Sequence, residues 1–161
     1  MLVPFQDLPA NSRLWIYQSD RKFSEDELLK LQEALNSFLN DWTAHGASLN
    51  AGFEIKYDRF IVIGLDQSAS SASGCSIDSQ VRFIQQIEKE FDVVLLDKMN
   101  VTYIQNDRVH FKPLADFKKM AKEGAVGKKT IVFNNLVNTK EEYLEFWEVP
   151  AIESWHSRFF K

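Results

Sequence analysis

The clearest pattern of apolar and polar positions lies between residues 24 and 46. Apolar residues recur there at spacings of three and four, namely Leu28, Leu31, Leu35, Phe38, Leu39 and Trp42. This spacing places them on one face of a helix over several turns. Ser24 and Glu27 predict a capping box at the start of the helix, and Gly46 predicts its end.

A second amphipathic helix is predicted from about Ile77 to Phe91, because its apolar residues also recur at helical spacing. Two shorter helices are predicted nearer the C-terminus, over residues 113–122 and 139–147. Thr139 and Glu142 have the spacing of a capping box for the last of these helices.

Short apolar or alternating runs predict the strands. These runs are Leu14–Gln18, Phe53–Tyr57, Phe60–Leu65, Val101–Gln105, Arg108–Lys112 and Thr130–Phe133, while Val93–Leu96 fits either a strand or a helix tail. Asp58-Arg59 and Asn106-Asp107 lie between pairs of strands and predict two hairpins. The run Phe60–Ile63 is apolar on both faces and predicts a central strand. Adjacent hairpins favour an α+β fold, with a mixed or mainly antiparallel sheet packed with about four helices.

The length and composition predict one globular domain over residues 1–161. The segment 151–161 contains Trp155, Phe159 and Phe160 and is too apolar to extend freely into water, so we expect it to dock on the domain. A net charge of −4 argues against a nucleic-acid partner. One cysteine cannot form an intramolecular disulfide, and no long apolar run suggests a membrane partner, so a cytoplasmic location is expected.

Several segments together resemble a family of small bacterial proteins of unknown function. These segments are SRLWIYQSDRKF at 12–23, WTAHG at 42–46, SGCSID at 73–78, DKMNVTY at 97–103, VFNNLVNT at 132–139 and WEVPAIESWHSRFF at 147–160. The resemblance covers nearly the whole chain. Members of that family are often labelled ABC transporter ATPases.

The motifs that ATP hydrolysis requires are not present in this chain. A phosphate-binding loop has the pattern G-x-x-x-x-G-K-[ST] and joins a strand to a following helix. The nearest match, residues 124–130, has its glycines too close together, and Lys129 separates Lys128 from Thr130. A helix is predicted before this segment and a strand after it, which is the reverse order. The sequence therefore predicts that the protein is not a P-loop ATPase.

The Ser-rich loop 67–78 is the main candidate for a functional site. Eleven residues separate the predicted strand from the predicted helix, which is longer than usual for such a connection. With Ser76 or Asp78 as the N-cap, the free N–H groups at the helix start favour a bound anion. The candidate ligand-binding residues are Ser73, Gly74, Ser76, Ile77 and Asp78. The first hypothesis is therefore the binding of a small molecule or anion, with no cofactor and with a homo-oligomer left open.

A second hypothesis makes Cys75 the nucleophile of an enzyme, a hydrolase or a transferase. A helix N-terminus favours the thiolate form of a cysteine, and a nearby histidine would act as base. His45, expected at the C-terminus of the first helix, and His156 are the candidates. The sequence does not decide whether the protein is an enzyme.

Two further alternatives remain open. A protein–protein adaptor would use the aromatic C-terminal tail as its contact surface. Asp66, Asp78 and Asp97 form a carboxylate set that could hold a hard cation, although no His or Cys residues have metal-ligand spacing.

Overall fold

The computed structural model describes all residues, 1–161. The α-helices are α1 (Glu25–Asp41), α2 (Gly74–Phe91), α3 (Leu114–Lys122) and α4 (Lys140–Phe146). The strands are β1 (Arg13–Gln18), β2 (Thr43–Ala44), β3 (Ala47–Ser48), β4 (Asn50–Lys56), β5 (Phe60–Asp66), β6 (Asn100–Gln105), β7 (Arg108–Pro113), β8 (Ile131–Phe133) and β9 (Glu148–Pro150). The predicted α+β class, with antiparallel sheets and four α-helices, is confirmed.

The strands are divided among three sheets, with the orders β1-β5-β4, β2-β3 and β7-β6-β8-β9. The contacts divide the chain into two compact units. The first unit contains Met1–Leu96 with Asn138–Glu141, and the second contains Asp97–Val137 with Glu142–Lys161.

In the first unit, β5 lies between β1 and β4, and every residue from Phe60 to Leu65 is buried. The prediction of a central strand is therefore confirmed. Apolar side chains of α1 and α2, including Leu31, Leu35 and Ile84, join the same core as β5. The apolar faces seen in the sequence thus cover the sheet, and burial of these faces stabilises both helices.

The segment Asn138–Glu141 is fastened to the N-terminal part of the first unit by Lys140. The Lys140 ammonium is buried and donates to the carbonyl oxygens of Phe5, Gln6 and Leu8, at 3.2, 3.0 and 2.7 Å. The backbone N–H of Lys140 also donates to the carbonyl of Ser12 at 2.9 Å. One side chain therefore satisfies three carbonyls of the N-terminal segment.

The start of α1 follows the prediction, but its end does not. Ser24 and Glu27 form the capping box, whereas the helix ends at Asp41 and Trp42 is already extended. His45 and Gly46 form the turn of the β2–β3 hairpin, with φ of 51° and 79°. A tight two-residue turn of this kind requires positive φ at both positions, which glycine adopts readily. Gly46 therefore serves a turn, and the prediction that His45 lies at a helix C-terminus is wrong.

The start of α2 also differs from the prediction, because the helix begins at Gly74 rather than Ile77. Ser73 is the N-cap: its hydroxyl accepts from the N–H of Ser76 at 3.1 Å, and the Ser76 hydroxyl accepts from the N–H of Ser73 at 2.7 Å. The prediction of Ser76 or Asp78 as cap is wrong, since Ser76 occupies the third helical position of this box. The connection between β5 and α2 is shortened to residues 67–73.

Residues 93–96 form neither a strand nor a helix tail. Side chains take the backbone donors that a strand would use: the Glu88 carboxylate accepts from Leu95 and Leu96, at 2.8 and 3.1 Å. The Asp20 carboxylate accepts from Val94 at 3.0 Å. These local hydrogen bonds compete with a β ladder.

The second unit is built around Phe117 on α3, which is fully buried. The rings of Tyr103, His156, Phe159 and Phe160 surround it, with centroids 5.4 to 6.4 Å away. The C-terminal residues form two short 3₁₀-helices, Ala151–Glu153 and Trp155–Phe160, and the second packs against α3.

The last helix is shorter than predicted. It ends at Phe146, and β9 follows as the outermost strand beside β8. Pro150 is compatible with such a strand, because proline is tolerated at a sheet edge. No helix in the chain combines the length and apolar character needed to cross a bilayer.

Candidate functional site

An open cleft of about 760 Å³ lies in the first unit, where α1 ends and α2 begins. It is lined from α1 by Ala34, Ser37, Phe38 and Asp41, from the β2–β3 region by Trp42, Thr43 and His45, and from the α2 region by Ser73, Cys75, Ser76, Ser79 and Phe83. The α1 residues recur at helical spacing and form one stripe. The residues Ser76, Ser79 and Phe83 do the same on α2.

Aromatic side chains form the apolar part of the cleft. The rings of Phe38 and Phe83 stack across the two helices, with centroids 4.4 Å apart and an interplanar angle of 12°. The Phe38 and Trp42 rings lie 5.9 Å apart. Phe38 is half-buried and Trp42 is nearly fully buried, so the aromatic surface is fixed in place and partly open to a ligand.

Trp42 also ties the end of α1 to the start of α2. Its indole N–H donates to the carbonyl of Ser76 at 2.8 Å, and this bond is buried. The hydroxyl of Ser79 donates to the same carbonyl at 2.8 Å. Because these bonds hold both walls, the shape of the cleft is largely preformed.

The capping box determines which donors of α2 remain for a ligand. Ser76 is buried, and its hydroxyl both accepts from Ser73 N–H and donates to the Ser73 carbonyl at 2.8 Å. The N–H of Ser76 is taken by the Ser73 hydroxyl. Helix geometry gives the N–H groups of Gly74 and Cys75 no intrahelical acceptor, and of these two residues Cys75 lines the cleft, so its N–H is the available donor.

Cys75 is exposed and lines the cleft together with His45. The two residues come from different elements, the first turn of α2 and the turn between β2 and β3. No hydrogen bond joins the thiol to the imidazole. The arrangement brings a thiol and an imidazole into one cleft without pairing them.

His156 lies in the second unit and is 1% exposed. Its Nδ1 is hydrogen-bonded to the Ser154 hydroxyl at 2.7 Å, and its ring stacks on Trp155. Burial, with a smaller contribution from Arg158, lowers the pKa of His156 to about 4. These contacts give His156 a structural role and leave it out of the cleft lining.

The remaining predicted residues are not part of the cleft lining. Gly74, Ile77 and Asp78 belong to the first turns of α2 but do not line the cleft. No group of three or more His, Cys, Asp or Glu side chains in the chain is placed to hold a metal ion, so Asp66, Asp78 and Asp97 do not form a carboxylate site.

Sequence reasoning did not identify the residues that α1 and the hairpin contribute, namely Ser37, Phe38, Asp41, Trp42 and Thr43. The helical spacing of Phe38 and Trp42 indicates only a place in the core. The useful signal was the polar pair Ser37 and Asp41, which borders that apolar stripe at a spacing of four.

No protein-family model matches the chain, and no curated protein or solved structure shows significant similarity to it. The resemblance to the small bacterial family therefore stays a prediction.

Proposed function

We propose that the cleft binds a small organic molecule. The observation that supports this most directly is the combination, in one preformed cleft, of stacked aromatic rings with polar side chains from three elements. Ligand sites are concave and mostly apolar, with a few placed polar groups that fix orientation. Phe38 and Phe83 would contact the apolar part of the ligand, while the N–H group of Cys75 would bind an acceptor on it.

A fragment screen followed by amide chemical shifts in NMR tests this proposal. Fragments with an aromatic ring should shift the amides of Thr43 and Cys75 at millimolar concentration. Ser37→Trp would fill the cleft from an exposed position of α1 and should abolish these shifts. Gln32→Trp is the matched control, because Gln32 is exposed on the same helix and does not line the cleft. Shifts that survive Ser37→Trp would contradict the proposed site.

A Cys75-dependent enzyme is the second candidate, supported by the exposed thiol and His45 in the same cleft. A base that activates a thiol raises its thiolate fraction and its rate of disulfide exchange. If His45 activates Cys75, the folded His45→Ala variant should react with an aromatic disulfide reagent more slowly than the wild type does. His110→Ala, a control in the second unit, should leave the rate unchanged. Equal rates for all three proteins would reject the nucleophile–base pair.

The adaptor hypothesis receives less support from the tail. Phe159 and Phe160 pack on Phe117 within the second unit, so these rings already have partners.

A single exposed thiol is typical of a reducing compartment, and we retain the cytoplasm as part of the proposal.

A further inference from the structure

The formal charges that line the cleft are unbalanced. Asp41 contributes a carboxylate, and no Lys or Arg lines the cleft. The Asp41 side chain is exposed and forms no ion pair within 4 Å. The Asp41 carboxylate acts electrostatically on the α-ammonium of Met1. That ammonium, however, donates its hydrogen bonds to Ser48 Oγ and the Leu49 carbonyl, at 2.7 and 2.5 Å. The carboxylate therefore remains available to a ligand.

The position of Asp41 in α1 strengthens this negative potential. Asp41 is the last residue of a 17-residue helix, and the last turn of that helix has no basic residue. The final carbonyl groups of a helix carry partial negative charge, and a cation near them is stabilised. Carboxylate and helix end thus favour the same sign of ligand charge.

The aromatic side chains beside Asp41 favour the same charge. Phe38 lies three residues before Asp41 on the same helix face, and Trp42 follows it directly. Both line the cleft. A cation within about 6 Å of an aromatic ring centroid is attracted by the ring's electron-rich face.

From these three features, and resting on the proposed ligand-binding cleft, we infer that its ligand carries a positively charged nitrogen attached to an apolar group. Asp41 would pair with the ammonium, the aromatic rings would contact its apolar substituent, and the α2 end of the cleft would take any acceptor group of the same molecule. A simple anion would instead face the Asp41 carboxylate.

Three probes with the same aromatic ring test the inference: 2-phenylethylamine, 2-phenylethanol and 3-phenylpropionate. Amide shifts of the cleft residues are followed at low salt and pH 8, where the amine probe is charged. The amine should bind about tenfold more tightly than the alcohol, given the usual strengths of an exposed ion pair and a cation–π contact. The carboxylate should bind most weakly.

Asp41→Asn should remove the preference for the amine, because it keeps the shape of the side chain and removes its charge. Glu33→Gln is the matched control: it removes the same charge from an exposed position of α1 outside the cleft and should keep the preference. Equal binding of all three probes, or a preference that survives Asp41→Asn, would overturn this inference and leave the proposed function intact. Binding of no probe to the cleft would overturn both.

Discussion

Gly52 and Gly64 are register partners across β4 and β5, and the N-terminal segment passes over the gap that they leave. A Cβ on Gly52 would collide with the backbone carbonyl of Val3, while a Cβ on Gly64 would lie 2.6 Å from Cδ1 of Leu8. Val3 N–H donates to the Ala51 carbonyl at 2.9 Å, so the segment is fixed against β4. Two facing glycines thus allow the segment to cover the sheet.

Gly52→Ala is therefore expected to lower the free energy of unfolding by about 1–3 kcal/mol, because rigid backbone must move. Gly64→Ala should cost less, since a leucine side chain can rotate. Gly74→Ala is the control, as a Cβ there would meet nothing within 4 Å. Urea unfolding measures all three, and a Gly52 variant as stable as the Gly74 variant would contradict the close approach.

Lys140→Met should lower the free energy of unfolding by about 2–4 kcal/mol, because the carbonyls of Phe5, Gln6 and Leu8 lose a shared charged donor. Lys30→Met makes the same change at an exposed position of α1 and should stay within about 0.5 kcal/mol of the wild type. Comparable urea midpoints for the two variants would show that the Lys140 hydrogen bonds do not stabilise the fold.

The sequence was informative where one local signal determined the structure. The capping box of Ser24 and Glu27 and the all-apolar run of β5 correctly indicated a helix start and a central strand. It was misleading where two structures share a signal. Gly46 is as suitable for a hairpin turn as for a helix end, and the choice depends on tertiary contacts such as that from Trp42 to Ser76.

The candidate site was predicted only in part, because some of its lining comes from a helix that is distant in the sequence. Ser73 and Cys75 lie in a recognisable loop, whereas Asp41 and Phe38 join them through the packing of α1 on α2. Apart from the spacing of Ser37 and Asp41 beside the apolar stripe of α1, such long-range proximity leaves no pattern in a single sequence. A Ser at the third helical position also completed the capping box, where Glu or Gln is the usual signal.

Stability should depend on pH through His156. Its pKa is about 4 in the folded protein, whereas the ordinary value for a solvated histidine is 6.5, so the unfolded chain takes up the proton first as the pH falls. The contribution of neutral His156 to the free energy of unfolding is therefore fully present above pH 6.5. It is lost towards pH 4, by up to about 1.4 kcal/mol per pH unit. In urea titrations, His156→Gln should remove this part of the pH dependence, whereas His45→Ala should retain it. An unchanged profile for His156→Gln would contradict the prediction.

Mg-ATP should show no saturable binding to the protein. Residues 124–130 connect α3 to β8, whereas a phosphate-binding loop connects a strand to a following helix. Isothermal calorimetry measures the binding, and Lys128→Ala is the comparison. Micromolar affinity that this variant abolishes would contradict the prediction.

Ser73→Ala should lower the free energy of unfolding by about 0.5–2 kcal/mol, because the N–H of Ser76 loses its acceptor at the start of α2. Ser24→Ala should cost a similar amount at the start of α1, where the Ser24 hydroxyl accepts from Glu27 at 3.2 Å. Ser71→Ala, at an exposed position before α2, is the control and should have little effect. Hydrogen exchange separates the two caps: loss of Ser73 should speed exchange in the first turn of α2 and leave α1 protected. If the amides in the first turn of α2 exchange at the same rate in the Ser71→Ala and Ser73→Ala variants, the capping box does not stabilise the α2 wall of the cleft.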